Sequence, residues 1–560
     1  MAGREGWIAP AGGDEHRVSP AEVEPATPPS GWAPLRRPVF RALWLAQFVA
    51  NTGTWMQTVG AQWLMGDLGG GALAVALIQA ATTLPVFLLV VPAGALGDIL
   101  DRRRLLLTGQ ALMCAGAAGI TLTTAFDRTT PALLLGWIAV TGVGQALSVP
   151  SFQAIQPELV SRGEVPQAAV LNGVNVNVAR AVGPAVGGLL IAATGPASTF
   201  AFNTLSFLGV LAVLYRWRRP PDHRPLGAEH VAAATRAGAR YILNAPRFAT
   251  VLMRSALFMI FASCLWALLP AVARGPLRLG ADGYGVLLAA VGIGAVAGAF
   301  AIGRLRAAIG ANAVVSASTV AYGGAVVVIG AGPRVALVLP ALVVAGAAWI
   351  GVQSTLNATA QALLPAWTRA RALAYFQLVF MGGQTLGAIG WGMIAGLSGL
   401  RAAFIVPGCA LLLTAALTVR RFRLPRTSLD LSRMPFWPEP AGGPDSQSGA
   451  GPVLVEVQWR VPQPNAEAFV DAMLHVSRSR KRTGATLWGL FRDVSDPSLY
   501  VETFTVATWH EHLRQHFERG TVWDRELEAA ARALTEDGAD PVVRHLIWAG
   551  ALRPSPDHRV

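Results

Sequence analysis

The sequence predicts an all-α polytopic membrane protein, with twelve transmembrane helices in two six-helix halves, followed by a small C-terminal α+β ferredoxin-like soluble domain. Three observations carry this expectation. Residues 40–420 are almost continuously apolar, and only 14% of the 560 residues are charged, where a soluble domain carries about 25%; the mean hydropathy is +0.45. Charges, Pro and Gly break the apolar region into runs of about 20 residues, the length that crosses a bilayer. Beyond Val453 the period changes, and short alternating runs interleave with helical ones.

Residues 1–35 are rich in Pro, Gly and Glu and have no apolar core of a cleavable signal peptide, so they read as a disordered cytoplasmic tail. The N-terminal six-helix half, 36–216, holds spans near 40–64, 73–95, 104–125, 131–154, 167–193 and 197–215. Residues 217–247 form a polar cytoplasmic middle loop. Within it, Val231, Ala234, Ala237 and Tyr241 repeat at helical spacing, with Arg236, Arg240 and Arg247 on the polar side. That is the pattern of an amphipathic helix lying on the inner membrane surface. The C-terminal six-helix half, 248–425, holds spans near 248–272, 283–303, 312–331, 334–358, 370–396 and 400–419.

Residues 426–452 are Pro-, Gly- and Ser-rich and read as a linker. In 453–550 the expected order is strand 453–459, helix 465–482, strands 486–492 and 499–505, helix 509–534 and strand 542–548. A β-α-β-β-α-β order gives a ferredoxin-like domain. One such sheet leaves an apolar face to cover, so self-association through this cytoplasmic domain is expected.

Arginine distribution sets the orientation. One side carries Arg102 to Arg104, the middle loop, Arg304, Arg306, Arg369 and Arg371; the other carries Arg128, Arg274, Arg278, Arg334 and Arg401. The first side is the cytoplasmic one, which places both termini inside. The net charge of +13 lies at span ends and in short loops. It forms no basic face of a soluble domain, so nucleic acid is not an expected partner. Cys114, Cys264 and Cys409 are scattered within apolar runs and read as small core residues, neither disulfides nor a metal site. No cofactor is implied.

The candidate chemistry is polar rather than acidic. Every carboxylate of the membrane region falls at a span end. Gln47, Asn51, Trp55, Thr58 and Gln62 share one face of the first span. Gln145 sits on the polar stripe of the fourth span, Gln353 and Asn357 on that of the tenth, and Gln377 and Gln384 on the eleventh. Amides on one face line a cavity for a small molecule of neutral or mixed polarity, or else join helices by hydrogen bonds. Arg180 is the one arginine well inside a span; it must pair, with Glu158 for example, or face water and an anionic substrate group. In the tail, His512 and His516 stand at i, i+4; with no third ligand in view they read as a solvated helix face, and no metal site is expected.

The loop between the second and third spans reads Gly94-Ala95-Leu96-Gly97-Asp98-Ile99-Leu100-Asp101-Arg102-Arg103-Arg104. Gly94, Leu96, Asp98, Arg102 and Arg103 resemble the loop signature of the major facilitator superfamily, while Ile99 and Asp101 depart from it. The segments Gly53–Val59, Ala76–Phe87 and Gly183–Gly188 narrow the resemblance to the enterobactin-exporter-like branch. The tail resembles the monooxygenase-like α+β barrel extension of its longer members. The resemblance covers roughly 35–550. It implies a secondary active transporter, not an enzyme, that exports a small siderophore- or drug-like organic molecule across the bacterial inner membrane by alternating access, in antiport with protons. It also implies a cytoplasmic gate at Gly94, Asp98, Arg102 and Arg103, with Asp98 capping a helix across the half interface. The alternatives are a metabolite importer of the same fold, or a membrane-anchored enzyme acting through the tail.

Overall fold

The computed structural model describes residues 30–99, 101–155, 158–217, 238–332, 334–365, 367–425, 429–434, 450–538 and 541–549. The N-terminal tail, most of the middle loop and most of the linker lie outside these residues. The expectation of an amphipathic helix therefore falls outside them as well, apart from a short helix, α7, at 238–243.

The N-terminal half is built from α1 (Pro38–Asp67), α2 (Ala72–Ile99), α3 (Arg102–Ala125), α4 (Pro131–Ile155), α5 (Val165–Thr194) and α6 (Ala197–Arg216). After α7 come α8 (Pro246–Arg274), α9 (Ala281–Ala331), α10 (Val335–Ala362) and α11 (Arg369–Arg421). Among the described residues nine helices are long and apolar enough to cross a membrane. Two of these, α9 and α11, each contain two rods. They break at Gly310 (φ 80°) and Gly399 (φ 84°), a backbone region that glycine enters without strain. α1 is long enough but too polar to count by composition, because the amides noted above interrupt it. Together these make the expected twelve rods. Asp101 starts α3 by accepting hydrogen bonds from the Arg103 and Arg104 amides at 2.8 and 3.1 Å, which satisfies two orphan donors of the helix start.

The tail is a four-stranded antiparallel sheet of β1 (Val453–Arg460), β2 (Leu487–Arg492), β3 (Leu499–Val506) and β4 (Val542–Ile547), in the order β2-β3-β1-β4. Val453, Val455, Val457 and Trp459 of β1 pack with Phe469, Met473 and Val476 of α12 (Ala466–Thr483). The expected single helix 509–534 is two: α13 (Trp509–Arg514), which runs on to Arg519 as a wider turn, and α14 (Val522–Arg532). Gly520 is extended, and the Thr521 hydroxyl caps α14 by accepting from the Asp524 amide. The described linker segment supplies the rest. Ser432 and Asp430 carbonyls accept from the Val522 and Trp523 amides at 3.1 and 3.0 Å. Local helical periodicity does not register a break whose orphan donors are satisfied by a distant segment of the chain.

Three expectations change. His512 and His516 are each 2% exposed, so they form no solvated face; they pack under β4 beside His545. Arg180 is not the one arginine inside a span: Arg254 lies in α8 and is 4% exposed. Of the cysteines, Cys264 is buried in the core, whereas Cys409 is exposed on its helix.

Candidate functional site

The two halves meet through α1, α2 and α5 on one side and α8, α9 and α11 on the other. At the arginine-poor end the contact is close. Arg274, at the end of α8, pairs with Asp67 at 2.9 Å and lies 4.1 Å from the Trp63 ring centroid. Gln62 donates to the Trp266 carbonyl at 3.2 Å and accepts from the Tyr284 hydroxyl. Gly188 of α5 faces Gly285 of α9 backbone to backbone: a Cβ on Gly188 would stand 2.7 Å from the Ala281 carbonyl oxygen and 2.9 Å from the Gly285 Cα. At mid-height Thr83 and Thr385 share a hydrogen bond of 2.7 Å between α2 and α11.

Toward the arginine-rich end, α5 and α9 part. Gly173 of α5 and Gly303 of α9 have nothing within 4 Å of where a Cβ would stand. Residues 303–310 of α9 are exposed. Along this seam α5 and α9 are thus close at one end and apart at the other, while Val86 and Val90 of α2 stay packed with Leu378 and Met381 of α11.

Between these levels sits a cationic and aromatic cluster. Arg180 lies 5.5 Å from the Trp55 ring centroid, and Trp55 lies 5.8 Å from Trp266 of the other half. Trp266 in turn meets Trp349 edge-on at 5.3 Å. The Arg180 Nε and Nη1 are shielded and have no hydrogen-bond partner among the described residues. Arg180 does not meet Glu158, which pairs with Arg102 at 3.1 Å. A guanidinium with an aromatic ring as its neighbour and no ion pair among the described residues is costly in a membrane interior and fits an anionic group of a bound molecule.

Not every expected residue joins this cluster. Gln47, Asn51 and Asn175 form an amide ladder between α1 and α5, at 3.2 and 2.9 Å, inside the N-terminal half. The Thr58 hydroxyl bonds back to its own helix at Thr54. Gln353 is half-buried with its Oε1 unpartnered, and Asn357 is exposed; both lie on α10. Gln145 and Gln377 are half-buried, and Gln384 is 8% exposed. In the loop motif, the side chains of Gly94 through Leu100, Asp98 included, lie outside the described residues. Arg103 donates to the Leu214 and Tyr215 carbonyls at 3.0 and 2.7 Å, which ties α3 to α6 of its own half. Among the described residues neither Arg102 nor Arg103 contacts the other half.

Sequence reasoning missed Trp266, Tyr284 and Trp349, which read as ordinary apolar span residues. It also missed the Asp67–Arg274 pair, whose members sit 207 positions apart as read from the sequence. Arg254 could have been found from its place in an apolar run. It donates to Asn312 at 2.6 Å and Ser316 at 2.9 Å, so its role is to hold α8 to α9.

The tail contains a buried network of its own. Arg480 donates to Glu502 at 3.1 Å and lies 3.6 Å from Glu528; the Trp488 indole also donates to Glu502 at 3.0 Å. Burial, with His545 and His516 nearby, pushes His512 down to about 3; burial and His545 push His516 down to about 4. Among the described residues no group of His, Cys, Asp and Glu is arranged to hold a metal.

Two helical halves that close around a polar, aromatic centre define a major facilitator fold. The chain belongs to the transmembrane secretion effector family of that superfamily, whose description matches residues 29–553. It is similar to the enterobactin exporter EntS of Shigella boydii serotype 4 (strain Sb227), 28% identical over 284 residues, covering 48% of this chain and 64% of the relative. The same exporter from Escherichia coli O157:H7 (strain EC4115 / EHEC) is 27% identical over 271 residues, with the same coverage. The chain thus spans less than two thirds of the length of these relatives. Among solved structures it is similar to a variant of the nucleoside transporter NupG, with a TM-score of 0.57, 14% identity, and 69% and 99% of the two chains covered. It is similar as well to a bacterial homolog of the human lysosomal transporter Spinster, inward-facing and unoccupied, with a TM-score of 0.55, 15% identity, and 70% and 98% covered. At such identities these likenesses speak for the fold alone.

Proposed function

We propose that the protein is a secondary active exporter that carries a small aromatic or polyphenolic anion, siderophore- or drug-like, out across the inner membrane in exchange for protons. The observation that carries the reading is Arg180, unpartnered and stacked on Trp55 opposite Trp266 of the other half. Its donors take an anionic oxygen, and the indoles take an aromatic ring. The name of the similar exporters, which concerns a siderophore, agrees with that chemistry. The arginine-rich end is the cytoplasmic one in this reading, so the opening between α5 and α9 admits substrate from inside. Rocking about the central cluster then exposes it outside. Asp98, Arg102 and Arg103 take part in closing the inner side.

Inverted membrane vesicles test this. Acidifying the lumen should drive uptake of a catecholate siderophore or of a panel of aromatic acids, and Arg180→Gln should abolish it. Uptake by right-side-out vesicles alone would make the protein an importer. No gradient-driven movement in either orientation would remove the transport reading.

We further propose that two copies associate through the tail. The sheet face turned away from α12 and α14 exposes Leu487 (70%) and Phe491 (60%) on one edge strand and Val542 (58%) and Leu546 (47%) on the other, flanking Glu456, Gln458 and Thr503, and no described residue covers it.

A further inference from the structure

The tail is not tethered loosely. It sits on the arginine-rich end of the second half with α12 and α14 turned toward α7, the start of α8 and the end of α10. Arg240 of α7 donates to the Gly484 carbonyl at 3.3 Å, and Arg519 lies 5.2 Å from the ring of Trp367, which follows α10. Between the two modules remains a cavity of about 140 Å³. Its floor is apolar, formed by Tyr241, Phe248, Leu363 and Leu429. Its rim carries Arg247 from the membrane module, with His475, Arg478 and Arg482 from the tail, and no carboxylate lines it.

The charge there is compensated only in part. Arg482 is neutralised by Asp524, with which it forms a short ion pair. Among the described residues Arg247 and Arg478 have no such pair. Arg247 and Arg482 lie against the same indole, Trp523, at 5.5 and 4.2 Å from its centroid. Arg247 thus adds a second guanidinium to a ring that the paired Arg482 already covers, at the seam between the two modules. The first turn of the 29-residue helix α8 adds the positive end of its dipole, since Pro246 and Arg247 line the cavity. An anion seated here compensates Arg247 and Arg478 and takes donors from both modules at once.

We propose that this inter-module cavity binds a phosphate-bearing anion, and that its occupancy clamps the C-terminal domain onto the second half. A phosphate offers enough acceptor oxygens to meet Arg247 and Arg478 from opposite walls, which a single carboxylate does less well. The apolar floor accepts a short carbon skeleton behind it. Such a group comes either from an anionic lipid headgroup of the adjacent leaflet or from a soluble phosphate compound.

The test uses the full-length protein, purified in neutral detergent and stripped of lipid. Hydrogen exchange is followed in segments 238–248 and 475–482, at constant ionic strength set with chloride. The probes are inorganic phosphate, dihexanoyl phosphatidylglycerol and dihexanoyl phosphatidylcholine. The expected result is saturable protection of both segments, roughly fivefold or more, by phosphate or phosphatidylglycerol and none by phosphatidylcholine. Arg247→Gln with Arg478→Gln should abolish it, and the corresponding double lysine variant should keep most of it. Protection by phosphatidylglycerol alone assigns the source to the membrane; protection by phosphate as well assigns it to soluble anions. Absence of protection by both anionic probes overturns the proposal, as does equal protection in the glutamine variant. Arg478 is exposed, so Arg478→Gln alone provides a folded variant if the double one is unstable. The readout involves no transport and stands apart from the exporter reading.

Discussion

Two arginines inside the membrane region make opposite demands. Arg254 is embedded, 4% exposed, and its donors end on Asn312, Ser316 and the Phe422 carbonyl. Arg254→Leu leaves those acceptors without a charged donor, a loss of about 2–4 kcal/mol. The expected outcome is a lower melting temperature in detergent and reduced membrane yield. Arg180 has two unpartnered nitrogens and only an aromatic neighbour. Arg180→Leu should therefore leave the melting temperature unchanged or raise it, while vesicle uptake falls to background. Equal destabilisation by both replacements would make Arg180 a structural residue.

At the scale of elements, the clamp at the arginine-poor end rests on a close helix approach and a pair of end groups. Gly188→Val places a side chain against the Ala281 carbonyl and Gly285. The α5–α9 seam must open there, which favours the opposite, outward-spread arrangement. A cysteine introduced at Tyr284 should then react faster with an impermeant thiol reagent. Arg274→Ala removes a half-exposed ion pair and a contact with the Trp63 ring. After allowance for solvent screening this is worth about 1 kcal/mol, or roughly a fivefold shift in the same direction. Thiol labelling in the two variants should rise together; no rise in Gly188→Val would mean that the seam is not what closes this end.

At the scale of the whole molecule, the tail brings both a pH dependence and an assembly surface. His512 and His516 are neutral in the folded state, with pKa pushed to about 3 and about 4. The unfolded chain takes up protons below the ordinary histidine value of about 6.5, whereas the folded domain does not. Stability is therefore complete above that value and falls as pH drops from about 6.5 toward 4. At pH 5 the loss is up to about 2 kcal/mol for each histidine. Unfolding of the tail, followed by exchange in 509–519, should sharpen on acidification, and His512→Phe should flatten the profile. For assembly, Leu487→Glu with Phe491→Glu on the open sheet face should convert a dimer to a monomer by light scattering in detergent. A wild-type protein that is already monomeric would remove the assembly reading.

The sequence by itself determined the twelve spans, the two halves and the strands of the tail, though not the break in its last helix. Each of these follows from local quantities: apolar run length, charge at boundaries and a period of two or about 3.6. The span expected near 283–303 and its neighbour at 312–331 separate in the structure at Gly310, as the charges at Arg304 and Arg306 suggested. The amide stripe of the first span was equally legible, but its use was not. Gln47 and Asn51 turn into the N-terminal half, whereas Gln62 reaches the other half at Trp266. That division depends on which neighbour each turn of α1 faces, and no local pattern encodes it. For the same reason the aromatic partners of Arg180, the Asp67–Arg274 clamp, the third histidine at His545 and the seam under Trp523 emerged only with the tertiary structure. All join residues far apart in the chain, and only packing decides which distant surfaces share a dry, low-dielectric space in which an unpaired charge has consequences.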